Sequence, residues 1–439
     1  MIALKPHQEE AAAFLRKRRY AILADPPRLG KTYPTAAVAL EQLAQHGGHI
    51  LVVAPAGAKF VWRDAFVGLG YIGPCLIVKT QRDASVALEK GHIGIVVIPW
   101  GLLKLWPVQK ATTLILDEAH RCQSATAQRT KAALKLMATA RSVYALSGTV
   151  MLNRPINLWP ILFGLKITKM GWYDFAHHFC KAWTAPWGLD VSGASNLPEL
   201  KALINPHLLR RTKAQVFQGY VAPEFRLVTF DRPKDKRETK FNADELAELA
   251  NPILSIEGLS EILHEAALQK VPDAVDFISG LLDSETGMKL VVFAYHTDVI
   301  AALAAGLKRY RPVTITGATS PALRETRRKI FMTRVECRLV IANIVACSEA
   351  IDFSASDTVV FIETTWSPAL LEQAAARVEN INKPSCAALA YLLTIEASLD
   401  HYILTRILQK MQVINQVVPL KSVPSSPQIH QLLESENHA

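Results

Sequence analysis

Apolar residues in this chain gather in short unbroken runs instead of alternating with polar ones. Tyr20-Ala21-Ile22-Leu23-Ala24 is the first run. His49-Ile50-Leu51-Val52-Val53-Ala54-Pro55, Gly94-Ile95-Val96-Val97-Ile98-Pro99-Trp100, Thr113-Leu114-Ile115-Leu116 and Ser142-Val143-Tyr144-Ala145-Leu146 follow. Runs this short, separated by stretches of helical period, predict parallel strands covered by helices on both faces. These runs define a first lobe over 1–154. Between 155 and 231 the character changes: Trp159, Trp172, Trp183 and Trp187 fall at helical spacing with little strand pattern, which predicts a helical extension. Residues 232–286 are polar and helical, as in Ala243-Asp244-Glu245-Leu246-Ala247-Glu248-Leu249, and predict a connector. Strand runs then return at Lys289–Ala294, Val313–Gly317, Arg338–Ala342, Thr358–Glu363 and Ala388–Leu393, giving a second α/β lobe over 287–415. The Ser- and Pro-rich stretch within 416–439 predicts a loosely ordered tail.

The first junction carries chemistry. Asp25-Pro26-Pro27-Arg28-Leu29-Gly30-Lys31-Thr32 lies between a predicted strand and a helix that runs to Gly47-Gly48, with Pro34 in its first turn. A Gly-Lys-Thr there suits a phosphate-binding loop, because backbone N–H groups and the helix N-terminus face the anion. Gly30 would let the loop close on the phosphates, Lys31 would reach the β/γ-phosphates, and Thr32 would hold Mg²⁺. The general pattern wants Gly where this chain has Asp25, so the loop alone also suits an ordinary strand–turn–helix.

Asp117-Glu118-Ala119-His120, ending the fourth run, narrows the choice. Asp117 would hold Mg²⁺ and Glu118 would deprotonate the attacking water, the second half of a nucleotide-hydrolysing site. Ser147-Gly148-Thr149 ends the neighbouring run. In the second lobe Gln373 and Arg377 share one face of a predicted helix and are the candidates to meet the nucleotide. A plain turn and a surface helix are the structural alternatives for these last two.

Composition adds the partner. The net charge is +10 with a pI near 9.2, which suggests a polyanion, nucleic acid first. No uninterrupted apolar run reaches the roughly 20 residues needed to cross a bilayer. The six cysteines are scattered without a C-x-x-C pair, and the N-terminus lacks a signal-peptide layout. A reducing, cytoplasmic setting is the expectation, in a host cell if the source is viral. His177-His178-Phe179-Cys180 is the single metal-like cluster, and it lacks a second ligand pair.

Taken in order, these motifs resemble the Swi/Snf-type DNA translocases of helicase superfamily two, especially the annealing-helicase branch, over most of residues 4–394. Gln8 matches the adenine-reading Gln of that family. Asp25 with Leu29-Gly30-Lys31-Thr32 is similar to its D-E-M-G-L-G-K-T loop. Pro55 with Trp62, then Asp117–His120 and Ser147–Thr149, match the next motifs. Gly188–Leu197 resembles W-G-x-D-x-S-G-x-S-N-L, Leu209–Lys213 resembles L-R-R-x-K, and Gly317–Arg324, Trp366-Ser367-Pro368 and Gln373 with Arg377 fall in register. The resemblance implies two RecA-like lobes, ATP with Mg²⁺, and a monomer held to duplex or branched DNA mainly through backbone contacts. It also departs from the family: Arg28 stands where the family has Gly, Ala350 replaces another Gly, and Asn380 replaces the second Arg of the last motif. Arg377 then carries the expected finger role, with Arg28 as a second possibility. Two other functions stay open at this point, a nucleotide-gated DNA-binding subunit with weak ATPase and a D-E-A-H type RNA helicase. The absence of long accessory domains suggests a bacterial or viral source.

Overall fold

The computed structural model describes residues 2–83, 94–106, 110–148, 154–186, 188–221, 223–231, 256–347, 351–363, 368–379 and 386–396, with positions 398, 400, 401 and 404. The chain divides into two compact units, Met1–Val216 and Phe217–Gln412. The predicted tail over 416–439, Asn380, Ala350, Thr149, Trp187 and the stretch 232–255 lie outside the described residues.

The first unit is built on a seven-stranded parallel sheet. In chain order its strands are β1 (Tyr20–Leu23), β2 (His49–Ala54), β3 (Cys75–Ile77), β4 (Gly94–Pro99), β5 (Thr113–Asp117) and β6 (Ser142–Leu146). After a two-stranded antiparallel ribbon, β7 (Trp183–Ala185) and β8 (Gly188–Asp190), the short β9 (Leu208–Leu209) completes it. The order across the sheet is β3-β4-β2-β5-β6-β1-β9. Strands β2 and β6 are buried at every position, as unbroken apolar runs require when helices cover both faces. Helices α1 (Pro6–Arg16), α2 (Thr32–His46) and α3 (Lys59–Gly68) supply Ala11, Leu15, Ala36, Ala39, Trp62 and Phe66 to one core.

The second unit is a six-stranded parallel sheet. Its strands are β10 (Glu224–Phe230), β11 (Leu290–Ala294), β12 (Val313–Ile315), β13 (Leu339–Asn343), β14 (Thr358–Phe361) and β15 (Leu389–Ile395), in the order β10-β15-β14-β11-β13-β12. The two parallel sheets establish the α/β class expected from the apolar runs.

Two predicted boundaries change. The stretch 155–231 is not one helical extension. Leu208-Leu209 pairs with Ile22-Leu23 in the first sheet, and Glu224–Phe230 pairs with Leu389–Ile395 over its whole length in the second. Nor is the described part of 232–286 a connector. The Ile256–Gln269 and Val271–Ser284 helices bury Ala267, Ala274, Ile278 and Leu282 against Leu290, Val292 and Leu303 of the second unit. Lys270, at the joint of these helices, is 1 % exposed; it pairs with buried Asp400 and donates to Leu393 O at 3.1 Å.

Removing one partner of a buried pair strands the other charge and costs about 3–5 kcal/mol, whereas replacing both by apolar groups is close to neutral. Lys270→Met is therefore expected to lower the stability of the second unit by about that amount, and Lys270→Met with Asp400→Leu to recover most of the loss. Urea unfolding followed by fluorescence measures both; equal loss in the single and double variants would show that the pair is not what anchors these helices.

Candidate nucleotide site

Strand order brings the sequence motifs together. The phosphate-loop candidate follows β1, Asp117 ends β5 with Glu118 next to it, and Ser147-Gly148 follows β6, which lies between the two strands. Leu23 and Asp117 both register against Leu146, so two strand spacings, about 10 Å, separate their backbones. All three segments leave the carboxyl ends of parallel strands, where open α/β sheets bind ligands.

The loop has the backbone of an anion cradle. Arg28 and Gly30 have φ of +72° and +78°, and Lys31 is right-handed at φ −54°, ψ −27°. Left- and right-handed residues in alternation turn successive N–H groups toward one concavity. Arg28 holds a left-handed conformation that costs a side-chain-bearing residue about 1–2 kcal/mol, which explains why a glycine suits this position in the resembling family. At Gly30 the constraint is also spatial, since a Cβ there would sit 2.5 Å from Gln8 Nε2. The Lys31 ammonium donates to Asp25 O at 2.7 Å. Thr32 opens α2, and Pro34 is buried in its first turn, as expected.

Asp25, the residue at odds with the general loop pattern, is 1 % exposed. Its Oδ1 accepts from Arg211 N at 2.9 Å and from Arg211 Nε at 3.3 Å, and its Oδ2 pairs with the second guanidinium nitrogen. The same Arg211 donates to His7 O and to Glu10 Oε2, the latter at 3.2 Å. His7 Nε2 in turn lies 3.0 Å from Leu29 O. Gln8 Oε1 accepts from Lys5 N at 3.0 Å while its Nε2 donates to Gly30 O at 3.2 Å. The start of α1, the loop and the segment after β9 are thus one hydrogen-bonded unit. Gly148 rests on the loop from the other side, where an added Cβ would come within 2.9 Å of Pro27 Cδ.

Asp117 is held by two indoles. Trp62, fully buried on α3, donates from Nε1 to Asp117 Oδ2 at 2.8 Å, and Trp100 donates to Asp117 O at 2.8 Å. Burial and the adjacent Glu118 charge push the Asp117 carboxyl up to about 6, against the pull of the Trp62 bond and the Lys31 charge. Glu118 is left-handed at φ +52°, and its Oε2 lies 3.2 Å from His120 Nδ1, which also meets Ser147 Oγ at 3.0 Å.

The second-lobe candidates are placed within their own unit. Gln373 is buried on the Pro368–Ala375 helix. Arg377 is not one full turn further along the same helix face, as its spacing predicted. The helix ends at Ala375, and Arg377 N and Val378 N bond three residues back, in a tightened turn. Arg377 O then accepts from Phe353 N at 3.0 Å. Within the His177–Cys180 cluster, His178 pairs with Glu199 at 2.8 Å, and burial pushes the Cys180 thiol up to about 12. Among the described residues no helix is long and apolar enough to cross a membrane.

The Asp117 shift has a testable consequence. A folded-state value of about 6 lies above the ordinary carboxylate value, so the native protein keeps a proton that the unfolded chain releases. Stability from this group is present at acid pH and lost as pH rises through 6. Because the indole N–H stabilises the carboxylate, Trp62→Phe is expected to move the Asp117 midpoint above its parent value. Carboxyl ¹³C titration of metal-free protein reads it; an unmoved midpoint would mean that the indole does not hold the charge.

The SNF2-related domain model matches residues 7–271, and the helicase conserved C-terminal domain model matches 273–382. The Xenopus tropicalis SWI/SNF-related matrix-associated actin-dependent regulator of chromatin subfamily A-like protein 1 is 30 % identical over 429 residues, covering 94 % of this chain and 45 % of that protein. The mouse DNA annealing helicase and endonuclease ZRANB3 is 27 % identical over 439 residues, covering 93 % and 40 %. The chain thus spans less than half the length of these relatives. The Sulfolobus solfataricus SWI2/SNF2 ATPase core in complex with dsDNA aligns over 98 % of this chain and 97 % of that one, with 18 % identity and a TM-score of 0.45. Beside these matches Asp117-Glu118-Ala119-His120 is a D-E-x-H motif of the SNF2 type, not the mark of the D-E-A-H RNA helicases. The chain belongs to the SNF2-related family.

Proposed function

We propose that this chain is an ATP-driven DNA translocase that remodels branched DNA in the manner of an annealing helicase. The observation that carries the reading is the meeting of a phosphate cradle at Arg28–Thr32 with the Asp117-Glu118 pair across β6. The relatives support the direction of the work, one of them being named a DNA annealing helicase.

The residues suit ATP and Mg²⁺. Thr32 and Asp117 offer hard oxygen donors, and a carboxylate pair whose own repulsion raises Asp117 is a set with surplus negative charge. Mg²⁺ held by Thr32 and Asp117 would screen the phosphate charge. The cradle N–H groups bind the phosphates, and Lys31 exchanges its bond to Asp25 O for the β/γ-phosphate oxygens. Gln8 spends one donor and one acceptor on the loop and Lys5, which leaves an N–H and a lone pair of its amide for the adenine edge. Glu118 receives the proton of the attacking water at Oε2, and His120, bridged to Ser147, fixes the angle of that carboxylate.

Lys31→Ala is expected to abolish hydrolysis while the fold persists. Glu118→Gln is expected to keep ATP affinity and lower kcat by about 10²–10⁴, the range of a lost general base. Equilibrium binding of a fluorescent nucleotide beside steady-state phosphate release separates the two effects. Parent-like turnover in Glu118→Gln would overturn the assignment.

A further inference from the structure

A second basic feature lies at the opposite end of the same sheet. A cleft of about 350 Å³ opens where α1 runs into β1, lined by Arg16, Lys17, Arg18, Arg19 and Arg141 against one acid, Glu41. The four residues of β1, roughly 13 Å of strand, separate it from the nucleotide loop.

These cations are not equivalent. Arg16 is consumed by Glu41, with a fork of bonds at 2.9 and 2.8 Å. Arg18 is consumed by backbone, donating to Phe14 O and Pro206 O at 3.1 and 2.9 Å while stacking on Phe14. Lys17, Arg19 and Arg141 are exposed and make no side-chain hydrogen bond or ion pair among the described residues. Arg19 and Arg141 are nevertheless fixed side by side. They directly precede the paired strands β1 and β6, Arg19 O accepts from Val143 N at 2.7 Å, and Arg141 N donates to Ala111 O at 3.0 Å.

The bland account is that basic residues at a helix C-terminus compensate its dipole. Arg18 fits that account, but Lys17, Arg19 and Arg141 donate to no carbonyl. Like charges held together on rigid backbone repel one another, and a polyanion relieves that repulsion. The cleft wall carries no Trp, Tyr or Phe, so it offers no platform on which a base could stack. Cations without stacking groups recognise phosphate and ignore sequence.

We propose that this cleft is a DNA-backbone site, in which Lys17, Arg19 and Arg141 hold phosphodiester groups at the end of the first unit remote from the nucleotide loop. The choice of DNA as the polyanion rests on the translocase reading. The site gives the motor a grip on DNA that does not pass through the nucleotide loop.

The test is the triple variant Lys17→Ala/Arg19→Ala/Arg141→Ala of the whole 439-residue chain, with duplex affinity measured from about 50 to 200 mM salt. Each phosphate contact contributes about −0.9 to the log–log slope, so losing three makes the slope shallower by about 2–3. ATP hydrolysis without DNA and the melting temperature are expected to stay at parent values, and Lys17→Arg/Arg19→Lys/Arg141→Lys to keep the parent slope. Parent-like slope and affinity in the alanine variant would overturn the site while leaving the translocase reading intact. A parent chain that binds no DNA at any salt would overturn both. Inorganic tripolyphosphate, titrated by calorimetry, distinguishes the other source of phosphate: binding lost in the alanine variant with an unchanged DNA slope would make this a small-polyanion site and overturn the backbone assignment.

Discussion

The buried pair of Asp25 and Arg211 is the interaction on which the nucleotide site depends. Asp25 follows Ala24 out of the sheet, and its buried carboxylate is met on both oxygens by Arg211. Arg211 arrives from 186 residues away with its own N–H and its guanidinium both turned to the carboxylate. It can do so because Leu208-Leu209 adds a last short strand beside β1, with Ala24 N donating to Leu209 O at 2.8 Å. A buried carboxylate without such a partner is costly enough to neutralise or unfold its surroundings. The edge strand, the arginine and the loop therefore stand or fall together. The same guanidinium reaches His7 O and Glu10, so the start of the chain is tied into the site as well.

This explains a residue that looks wrong in the sequence. A general phosphate loop has glycine at the Asp25 position because its backbone must turn freely. Here the turning is done later in the loop, at Arg28 and Gly30, and Asp25 serves as the post to which the loop is fixed. The acid pair follows the same logic of outside support. Asp117 is gripped by indoles from α3 and from the turn after β4, and Glu118 is steadied by His120 and, through it, Ser147.

How much of this was legible follows from the physics of each element. The ten runs read as strands are all strands, because a parallel strand buried on both faces must be continuously apolar. Strands that escaped notice lack that pressure. Cys75–Ile77 is half-buried, Leu208-Leu209 is two residues long, and Glu224–Phe230 is an edge strand with Glu224, Arg226 and Thr229 exposed. The Val271–Ser284 helix was read as a connector since only its apolar stripe, Ala274, Ile278 and Leu282, reveals what it covers. Local patterns and family resemblance singled out Gln8, Lys31, Thr32, Asp117 and Glu118, and the structure places them on and around the ends of β1 and β5. The bonds from Trp62 to Asp117 and from Arg211 to Asp25 were not legible. Both join residues far apart in sequence, and no spacing rule foretells such a partner. The Arg377 expectation failed locally, because a run of alanines after Gln373 gave no sign that the helix stops at Ala375.

In a DNA translocase the chemistry at the loop is coupled to DNA. Steady-state ATP hydrolysis at saturating ATP and Mg²⁺, with no DNA and then with single-stranded, duplex and forked DNA, tests it most directly. The expected result is a slow basal rate that rises on adding DNA, most with duplex or forked substrates, and that disappears in every condition when Lys31 is replaced. A rate that is the same with and without every form of DNA would contradict it.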